Sequence, residues 1–237
     1  MANNYFKFKQ FTIYQEEAAF KVTTDSVLLG AWADIQNAGR IIDIGTGTGL
    51  LALMAAQRSN AVISAVEPDS RSFNQALSNI KASKWSSRIS LFNCQVQDYT
   101  PEKGLLFDAI ITNPPFFSQS LLNPDIRKAN ARHALTLTHE ELISASMRLL
   151  AGTGILYLIL PTEEGHIFIQ KAGLKGLFCN RILKVKPAPS QNPERVLLAM
   201  SRCVTGIEDE TIVIEQNGRH GYSEEYVALT RDFYLKM

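Results

Sequence analysis

An alternation of short apolar segments with segments of helical periodicity, which begins at Ile41, constrains the fold of this chain most strongly. Apolar strands separated by helices are typical of a parallel sheet that is covered on both faces. We therefore expect an α/β fold built around a mostly parallel sheet. The predicted strands are 41–44, 62–66, 89–92, 107–112 and 154–160, and the predicted helices are 50–58, 70–82 and 138–150.

The pattern changes after Gly173, where two long strands are predicted over 178–185 and 195–204. The loop that joins them contains several prolines and leaves no room for a helix. We therefore expect an antiparallel hairpin at the edge of the sheet. A further short strand over 210–216 and a final helix over 223–235 are also predicted.

The length and composition of the chain fit one globular domain. Its 237 residues, of which 46% are hydrophobic, are enough for a large α/β domain with a substantial core. We expect a single domain over 1–237, in which residues 1–38 cover the cofactor and the substrate and residues 39–237 form the core. The net charge of +1 neither requires nor excludes a nucleic-acid partner.

The cysteines and the N-terminus favour a cytoplasmic protein. The three cysteines are far apart, and the histidines do not lie near them at metal-ligand spacing, so we expect reduced thiols and no metal site. Residues 1–10 are polar and do not form a signal peptide. No apolar stretch of the sequence is long enough to cross a membrane.

Three glycines, Gly45, Gly47 and Gly49, directly follow the first predicted strand. Glycine allows a tight turn and the close approach of a ligand, and the N-terminus of the next helix offers free amides. The spacing differs from the Gly-x-Gly-x-x-Gly of nicotinamide dehydrogenases, and the phosphate-loop lysine is absent. Together with Asp43, the glycines resemble the S-adenosylmethionine loop of Rossmann-like methyltransferases, which lies under the methionine carboxylate and the sulfonium. A tight turn without a ligand is the alternative.

Two acids after the next strands are further cofactor candidates. Glu67 ends the second strand, where an acid can accept hydrogen bonds from both ribose hydroxyls. Asp69 is expected to point to the other face or to cap the next helix. Asp98 follows the third strand, where the methyltransferase resemblance implies an acid at the adenine amino group, with a solvated surface acid as the alternative.

The most specific motif of the chain is Asn113-Pro114-Pro115-Phe116, which follows the fourth predicted strand. Consecutive prolines fix the backbone and leave carbonyl groups exposed. The Asn113 side-chain oxygen and the Pro114 carbonyl can accept both hydrogens of a target NH2, which aims the nitrogen lone pair at a methyl donor. Phe116 offers a face for stacking on the target. The motif resembles the amino-methyltransferases of adenine, guanine N2 and protein glutamine, in which Asn113 would also border the cofactor; an ordinary Asn-Pro turn is the alternative.

Four further segments resemble the family of bacterial tRNA1(Val) (adenine-37-N6)-methyltransferases. They are 20–32, 131–133, Pro193-x-Arg195 and 222–235, so that the resemblance extends over nearly the whole chain. It implies a Rossmann-like class I methyltransferase fold, with a mostly parallel seven-stranded sheet and an antiparallel C-terminal hairpin. It also implies S-adenosylmethionine as the cofactor and methyl transfer to N6 of adenine 37, with the anticodon stem-loop of tRNA1(Val) as the partner.

Basic residues near the catalytic loop are candidates for binding RNA phosphates. For each of them a solvated surface position is the alternative, and the last two could instead organise the loop. These candidates are Lys21, Arg127, Lys128, Arg132 and His133. Thr24 and Asp25 are candidate cofactor contacts, with a helix N-cap as the alternative. The N-terminal aromatic residues could stack on unpaired bases or belong to the core.

Other functions remain open at this point. A protein glutamine methyltransferase also acts on a planar NH2 group, but such enzymes usually carry Asn-Pro-Pro-Tyr and a separate helical N-terminal domain. A guanine-N2 rRNA enzyme typically has His where this chain has Phe117. A DNA adenine methyltransferase needs a large segment that reads a duplex, and none is predicted. A non-catalytic RNA-binding module would not need intact Gly45, Glu67 and Asn113.

Overall fold

The computed structural model describes residues 3–102, 104–114 and 137–237. Strands β1 and β2 form a small antiparallel pair, and the other strands form the main sheet. The strands are β1 (Tyr5–Lys7), β2 (Thr12–Tyr14), β3 (Arg40–Ile44), β4 (Val62–Val66), β5 (Ile89–Phe92), β6 (Phe107–Thr112), β7 (Leu150–Pro161), β8 (Phe178–Lys186), β9 (Arg195–Ser201) and β10 (Glu208–Val213). The α-helices are α1 (Thr24–Trp32), α2 (Leu50–Arg58), α3 (Ser70–Lys81), α4 (His139–Leu149), α5 (Thr162–Gly173) and α6 (Glu224–Thr230).

The main sheet has the strand order β10-β8-β9-β7-β6-β3-β4-β5. The strands from β3 to β7 pair in parallel, β9 is antiparallel to both of its neighbours, and β10 is parallel to β8. The chain moves outward from β3 to β5 and then returns to β6 on the other side of β3. Such a reversal of strand order opens a crevice at the carboxyl ends of the two central strands. The predicted α/β fold class is confirmed.

The sheet is covered on both faces by helices. Successive residues of β3 alternate between two apolar layers, as the pleat of a strand requires. Ile41 belongs to the layer under α1, α2 and α3, and Ile42 to the layer under α4 and α5; both side chains are fully buried. Because both faces are closed, a ligand crevice is left only at the ends of the strands.

The C-terminal hairpin is antiparallel as predicted, but its predicted place at the edge of the sheet is wrong. Among the described residues the sheet has eight strands where seven were expected, because β10 pairs with β8 beyond the hairpin. Two ion pairs stabilise this acidic edge strand. Lys184 Nζ lies 2.7 Å from Asp209 Oδ2, and Arg181 Nη2 lies 3.1 Å from Glu210 Oε2.

Several element bounds differ from the prediction. Helix α5 was not predicted, β7 begins at Leu150 and β9 ends at Ser201. The final helix ends at Thr230, because the following residues pair with the N-terminal segment: Tyr234 forms an antiparallel bridge with Phe8. Helix α4 begins with a capping box, in which Thr138 is the N-cap.

The N-terminal segment packs along α3 before it enters α1. Phe8 and Phe11 are buried, which confirms core packing for these two aromatic residues, whereas Phe20 is exposed. The Glu17 amide donates to Gln75 Oε1 (3.2 Å), and the Ala19 amide donates to Ser72 Oγ (3.2 Å). These bonds lead the chain to the N-terminus of α3.

None of the described helices combines the length and the apolar character needed to cross a membrane.

Candidate cofactor and catalytic site

The predicted functional residues meet at one edge of the main sheet. The glycine loop follows β3, Glu67 follows β4 and Asn113 follows β6. Since β3 lies between β4 and β6 in parallel register, the loop lies between the predicted ribose carboxylate and the predicted catalytic amide. The predicted elements are therefore brought together at the crevice.

The glycine loop adopts a backbone conformation that favours glycine. Gly45, Gly47 and Gly49 have φ angles of 71°, 57° and 84°. A Cβ atom added at Gly45 or Gly47 would meet no atom within 4 Å, whereas one at Gly49 would lie 3.6 Å from Ala76 Cα. The first two glycines thus border open space, whereas the third faces α3 at ordinary contact distance, so that its φ angle is the feature that favours glycine there.

Asp43 is a buried acid beneath this loop. Its Oδ2 accepts hydrogen bonds from Thr46 Oγ1 at 2.5 Å and from the Ala52 amide at 3.0 Å. Its Oδ1 is also buried and has no hydrogen-bond partner in the described part of the chain. Burial raises the pKa of Asp43 to about 7, although the two hydrogen bonds act in the opposite direction. A cationic ligand beside Asp43 would favour the ionised carboxylate and lower its pKa.

Glu67 is buried and connects β4 to the glycine loop. Its Oε2 accepts from the Gly47 amide at 2.8 Å, and its Oε1 accepts from the Asp69 amide at 3.0 Å. Burial raises the pKa of Glu67, and the two amides oppose the shift. Asp69 caps α3 by accepting from the Ser72 amide, which confirms the capping role expected for it. The ribose-binding role of Glu67 stays a prediction.

Asp98 lies in a turn after β5, and its side chain is exposed. It lies near Cys94, since the pKa of the Cys94 thiol is raised by burial and then by the negative charge of Asp98. Its predicted contact with the adenine of the cofactor and the alternative of a surface acid both stay open.

Asn113 lies at the end of β6 with its amide directed at α1. Its Nδ2 donates to Ser26 Oγ at 2.8 Å, which leaves Oδ1 available as an acceptor. Thr112 fixes the end of the strand, because its hydroxyl donates to the Ile44 carbonyl at 2.8 Å. Pro114 is buried. The other two members of the predicted catalytic motif, Pro115 and Phe116, lie outside the described residues.

The first turn of α1 borders the same crevice. Thr23 is the N-cap of this helix, with its side chain accepting from the Ser26 amide, so the alternative that Asp25 caps the helix is wrong. Asp25 Oδ2 instead lies 2.9 Å from Arg195 Nε. Thr24 is exposed, and the cofactor contacts predicted for Thr24 and Asp25 stay predictions.

Three residues at the site were not assigned a role from the sequence. Ser26 bonds to Asn113, Arg195 pairs with Asp25, and Asn93 Nδ2 donates to the Glu67 carbonyl at 2.8 Å. Ser26 and Arg195 lie within the segments that resemble the methyltransferase family. The only signal for Asn93 is its position directly after a parallel strand.

Of the predicted RNA-binding residues, Lys21 is exposed in the segment that precedes α1. Its RNA contact stays a prediction. Arg127, Lys128, Arg132 and His133 lie outside the described residues.

Among the described residues no cluster of three or more His, Cys, Asp or Glu side chains could hold a metal ion.

The residues at this edge fit S-adenosylmethionine. Gly45 and Gly47 border open space, which a ligand can approach without meeting a Cβ atom. Asp43 Oδ1 has no hydrogen-bond partner among the described residues, and a cationic cofactor would favour the ionised form of this acid. Glu67 adds a second buried acid after the neighbouring strand. The site thus combines open space beside the glycine backbone with two buried acids.

Comparisons with known proteins agree with this arrangement. The sequence profile of the family "Methyltransferase small domain" matches residues 10–180. The chain is 42% identical over 237 residues to the tRNA1(Val) (adenine(37)-N6)-methyltransferase of Parabacteroides distasonis, and the match covers 100% of both chains. It is 44% identical over 241 residues to the protein of the same description from Trichodesmium erythraeum, again with 100% of both chains covered.

A solved structure shows the same fold. The crystal structure of a predicted O-methyltransferase from Agrobacterium tumefaciens superposes with a TM-score of 0.68. The alignment covers 88% of this chain and 96% of the other, at 21% sequence identity. A likeness at this identity extends to the fold alone and does not concern the methyl acceptor.

Proposed function

We propose, because the chain belongs to the methyltransferase small domain family and to the tRNA1(Val) (adenine(37)-N6)-methyltransferases, that it transfers a methyl group from S-adenosylmethionine to N6 of adenine 37 in tRNA1(Val). One observation carries the proposal: the Asn113 amide donates to Ser26, and its Oδ1 has no hydrogen-bond donor among the described residues. An acceptor at the carboxyl edge of the sheet suits a target that offers an NH2 group.

The chemistry follows from the weakness of the target nitrogen. The amino group of adenine is a poor nucleophile because its lone pair is delocalised into the ring. Asn113 Oδ1 and the Pro114 carbonyl accept its two hydrogens, so that the nitrogen becomes pyramidal and its lone pair is directed away from both acceptors. When bound, S-adenosylmethionine supplies an electrophilic methyl group. As the bond from nitrogen to the methyl carbon forms, the bond from that carbon to sulfur would break and the sulfur would leave as a neutral thioether. The methylated nitrogen would then be cationic and acidic, so that it releases one proton to water without a strong general base.

The chain's own residues hold the cofactor in this proposal. The glycine loop allows close approach, Asp43 supplies buried negative charge, and Glu67 accepts hydrogen bonds from the ribose hydroxyls. Asp98 accepts from the adenine amino group, and Asn113 borders the reacting methyl. The full set of cofactor contacts is Thr24, Asp25, Asp43, Gly45, Gly47, Gly49, Glu67, Asp98 and Asn113.

The RNA contacts complete the proposal. Basic residues around the catalytic loop neutralise phosphates of the anticodon stem-loop, and Phe116 stacks on the target base together with the rigid Pro115. The basic residues are Lys21, Arg127, Lys128, Arg132 and His133. Residues 1–38 cover the cofactor and the RNA on the core of 39–237, within one domain. We place the reaction in the cytoplasm.

The proposal is tested with methyl-labelled S-adenosylmethionine and unmodified tRNA1(Val). The purified protein is expected to label the tRNA, and digestion is expected to yield N6-methyladenosine from the anticodon loop. A transcript with guanosine at position 37 is the matched control and is expected to stay unlabelled. Label only in protein, or only as N2-methylguanosine, would rule out adenine as the acceptor; these are the targets of the related glutamine and guanine enzymes, which no described contact favours.

A further inference from the structure

A side-chain amide such as that of Asn113 has a donor end and an acceptor end of nearly the same shape. Only the acceptor end can hold a hydrogen of a target NH2 group. A rotation of 180° about the last side-chain bond would present the Asn113 NH2 to the target NH2, and two donors do not bond. The orientation of this amide therefore decides whether the site can bind its target productively.

In the structure, Ser26 contacts the donor end of this amide. Asn113 Nδ2 donates to Ser26 Oγ at 2.8 Å. Ser26 Oγ in turn lies 3.2 Å from Thr23 Oγ1. The serine hydroxyl carries one proton, and when that proton is donated to Thr23, its oxygen remains an acceptor for the asparagine. In this arrangement the NH2 of Asn113 points toward α1 and its oxygen points away from it.

We infer that Ser26 is a positioning residue, which holds the Asn113 amide with its oxygen toward the target amino group. The inference rests on the proposed function, since it presumes an amino group as the methyl acceptor. It extends that function to a residue of α1 that touches neither reacting atom.

Helix capping does not account for the Ser26 hydroxyl. Thr23 Oγ1 caps α1 by accepting from the backbone amide of Ser26 at 3.2 Å. That bond is kept when the Ser26 side chain is shortened to alanine. The removal of the hydroxyl therefore affects the amide of Asn113 while it leaves the cap of the helix in place.

A double-mutant cycle tests the inference. With saturating tRNA and cofactor, Ser26→Ala is expected to lower kcat about ten-fold, since the amide is then expected to be in the productive orientation for only about a tenth of the time. In the Asn113→Ala background the same change is expected to lower kcat by less than about two-fold, because no amide remains to be oriented. Ser26→Thr keeps the hydroxyl and is expected to retain most of the activity.

The controls separate positioning from a general structural role. Ser78→Ala removes a hydroxyl that bonds to the Asn74 carbonyl within α3, and it is expected to leave kcat unchanged. Cofactor affinity, measured by calorimetry, is expected to be the same in Ser26→Ala as in the parent protein. An equal loss of kcat in both backgrounds, or a parallel loss of cofactor affinity, would overturn the inference. The identity of the methylated product formed by the parent protein tests the proposed function separately. The ratio of the kcat values of the variants can be measured for any amino acceptor.

Discussion

Arg195 and Asp25, which are 170 residues apart in the sequence, form an ion pair with 2.9 Å between Nε and Oδ2. The pair joins the first residue of β9 to the first turn of α1, the turn that also carries Ser26. Their side chains are 31% and 21% exposed, so the pair is partly shielded from solvent. The C-terminal hairpin is thus connected to the helix that contacts Asn113.

Loss of this ion pair is expected to affect both stability and activity. Asp25→Asn and Arg195→Met are each expected to lower kcat/KM several-fold, because the turn that bears Ser26 is less firmly held. Urea unfolding of both single variants and the double variant is expected to give a coupling energy of about 0.5–1 kcal/mol, the range for partly exposed ion pairs. The control is the pair Lys184–Asp209 on the distant edge strand, whose removal is expected to leave kcat/KM unchanged. An absence of coupling together with unchanged kcat/KM contradicts the prediction.

Asp43 predicts a pH-dependent stability for the protein without cofactor. Burial raises the pKa of Asp43 from 3.8 to about 7, so the folded protein binds this proton more tightly than the unfolded chain does. The stabilisation by the protonated acid is complete below pH 4 and is lost as the pH rises to about 7, a change of about 4 kcal/mol for this group. Asp43→Asn is expected to remove this contribution. Urea midpoints of both proteins between pH 5 and pH 8 provide the measurement, and parallel pH profiles would show that Asp43 does not titrate in this range.

Gly47→Ala is expected to weaken cofactor binding. The φ angle of 57° at this residue is unfavourable for alanine, and the added methyl group would project into the open space bordered by the loop. We expect a loss of cofactor affinity of at least about ten-fold and a loss of stability of about 1 kcal/mol. Gly173→Ala is the matched control, because a Cβ atom there also meets nothing within 4 Å but lies at the end of α5, away from the loop. Calorimetry measures the cofactor affinity of both variants, and equal affinities would contradict a cofactor role for the loop.

Asn113→Ala is expected to separate turnover from cofactor binding. Loss of one acceptor aimed at the reacting group is expected to reduce kcat by about 100-fold or more, by analogy with the loss of a single transition-state hydrogen bond. Cofactor affinity is expected to change by less than about three-fold, since Asn113 bonds to Ser26 through Nδ2. Single-turnover methyl transfer and calorimetry measure the two quantities. If cofactor affinity falls as far as kcat, the main role of Asn113 is to bind the cofactor, and the proposed role in orienting the target is wrong.

Arg132→Ala is expected to weaken tRNA binding and to flatten its dependence on salt. Each phosphate contact that is lost reduces the slope of log K against log salt by about 0.7–0.9. Lys175→Ala is the control, because this exposed lysine follows α5 at the opposite edge of the sheet. Filter binding at several salt concentrations measures the tRNA affinity of each variant and of the parent protein. A slope that is equal in the variant and the parent would assign Arg132 a structural role.

The features that could be predicted from the sequence are those that a short segment encodes. The buried strands follow from local periodicity, and the glycine loop follows from the conformational freedom of Gly45 and Gly47. Both could therefore be predicted from short segments of the sequence. Parallel pairing then brought Glu67 and Asn113 to one edge of the sheet, because the carboxyl ends of parallel strands lie together.

The relationships that could not be predicted depend on distant partners. Nothing in the segment around Asp25 indicates that its partner is Arg195, and the early end of α6 depends on pairing between Phe8 and Tyr234. The place of β10 depends on its parallel pairing with β8, a strand more than twenty residues earlier in the chain. A single sequence gives the pattern of each segment, and it does not specify which segment will be its neighbour.

The reversed direction of β9 has a consequence for how target-specific features can be added to this fold. A parallel strand at this position would begin at the opposite edge, whereas β9 begins at Arg195 beside the end of β7, at the edge where the crevice lies. The match to the general methyltransferase profile ends at residue 180, before this strand. The Arg195–Asp25 ion pair therefore connects a strand outside the shared part to a helix inside it, and substitutions of Arg195 are expected to affect α1 more than the glycine loop.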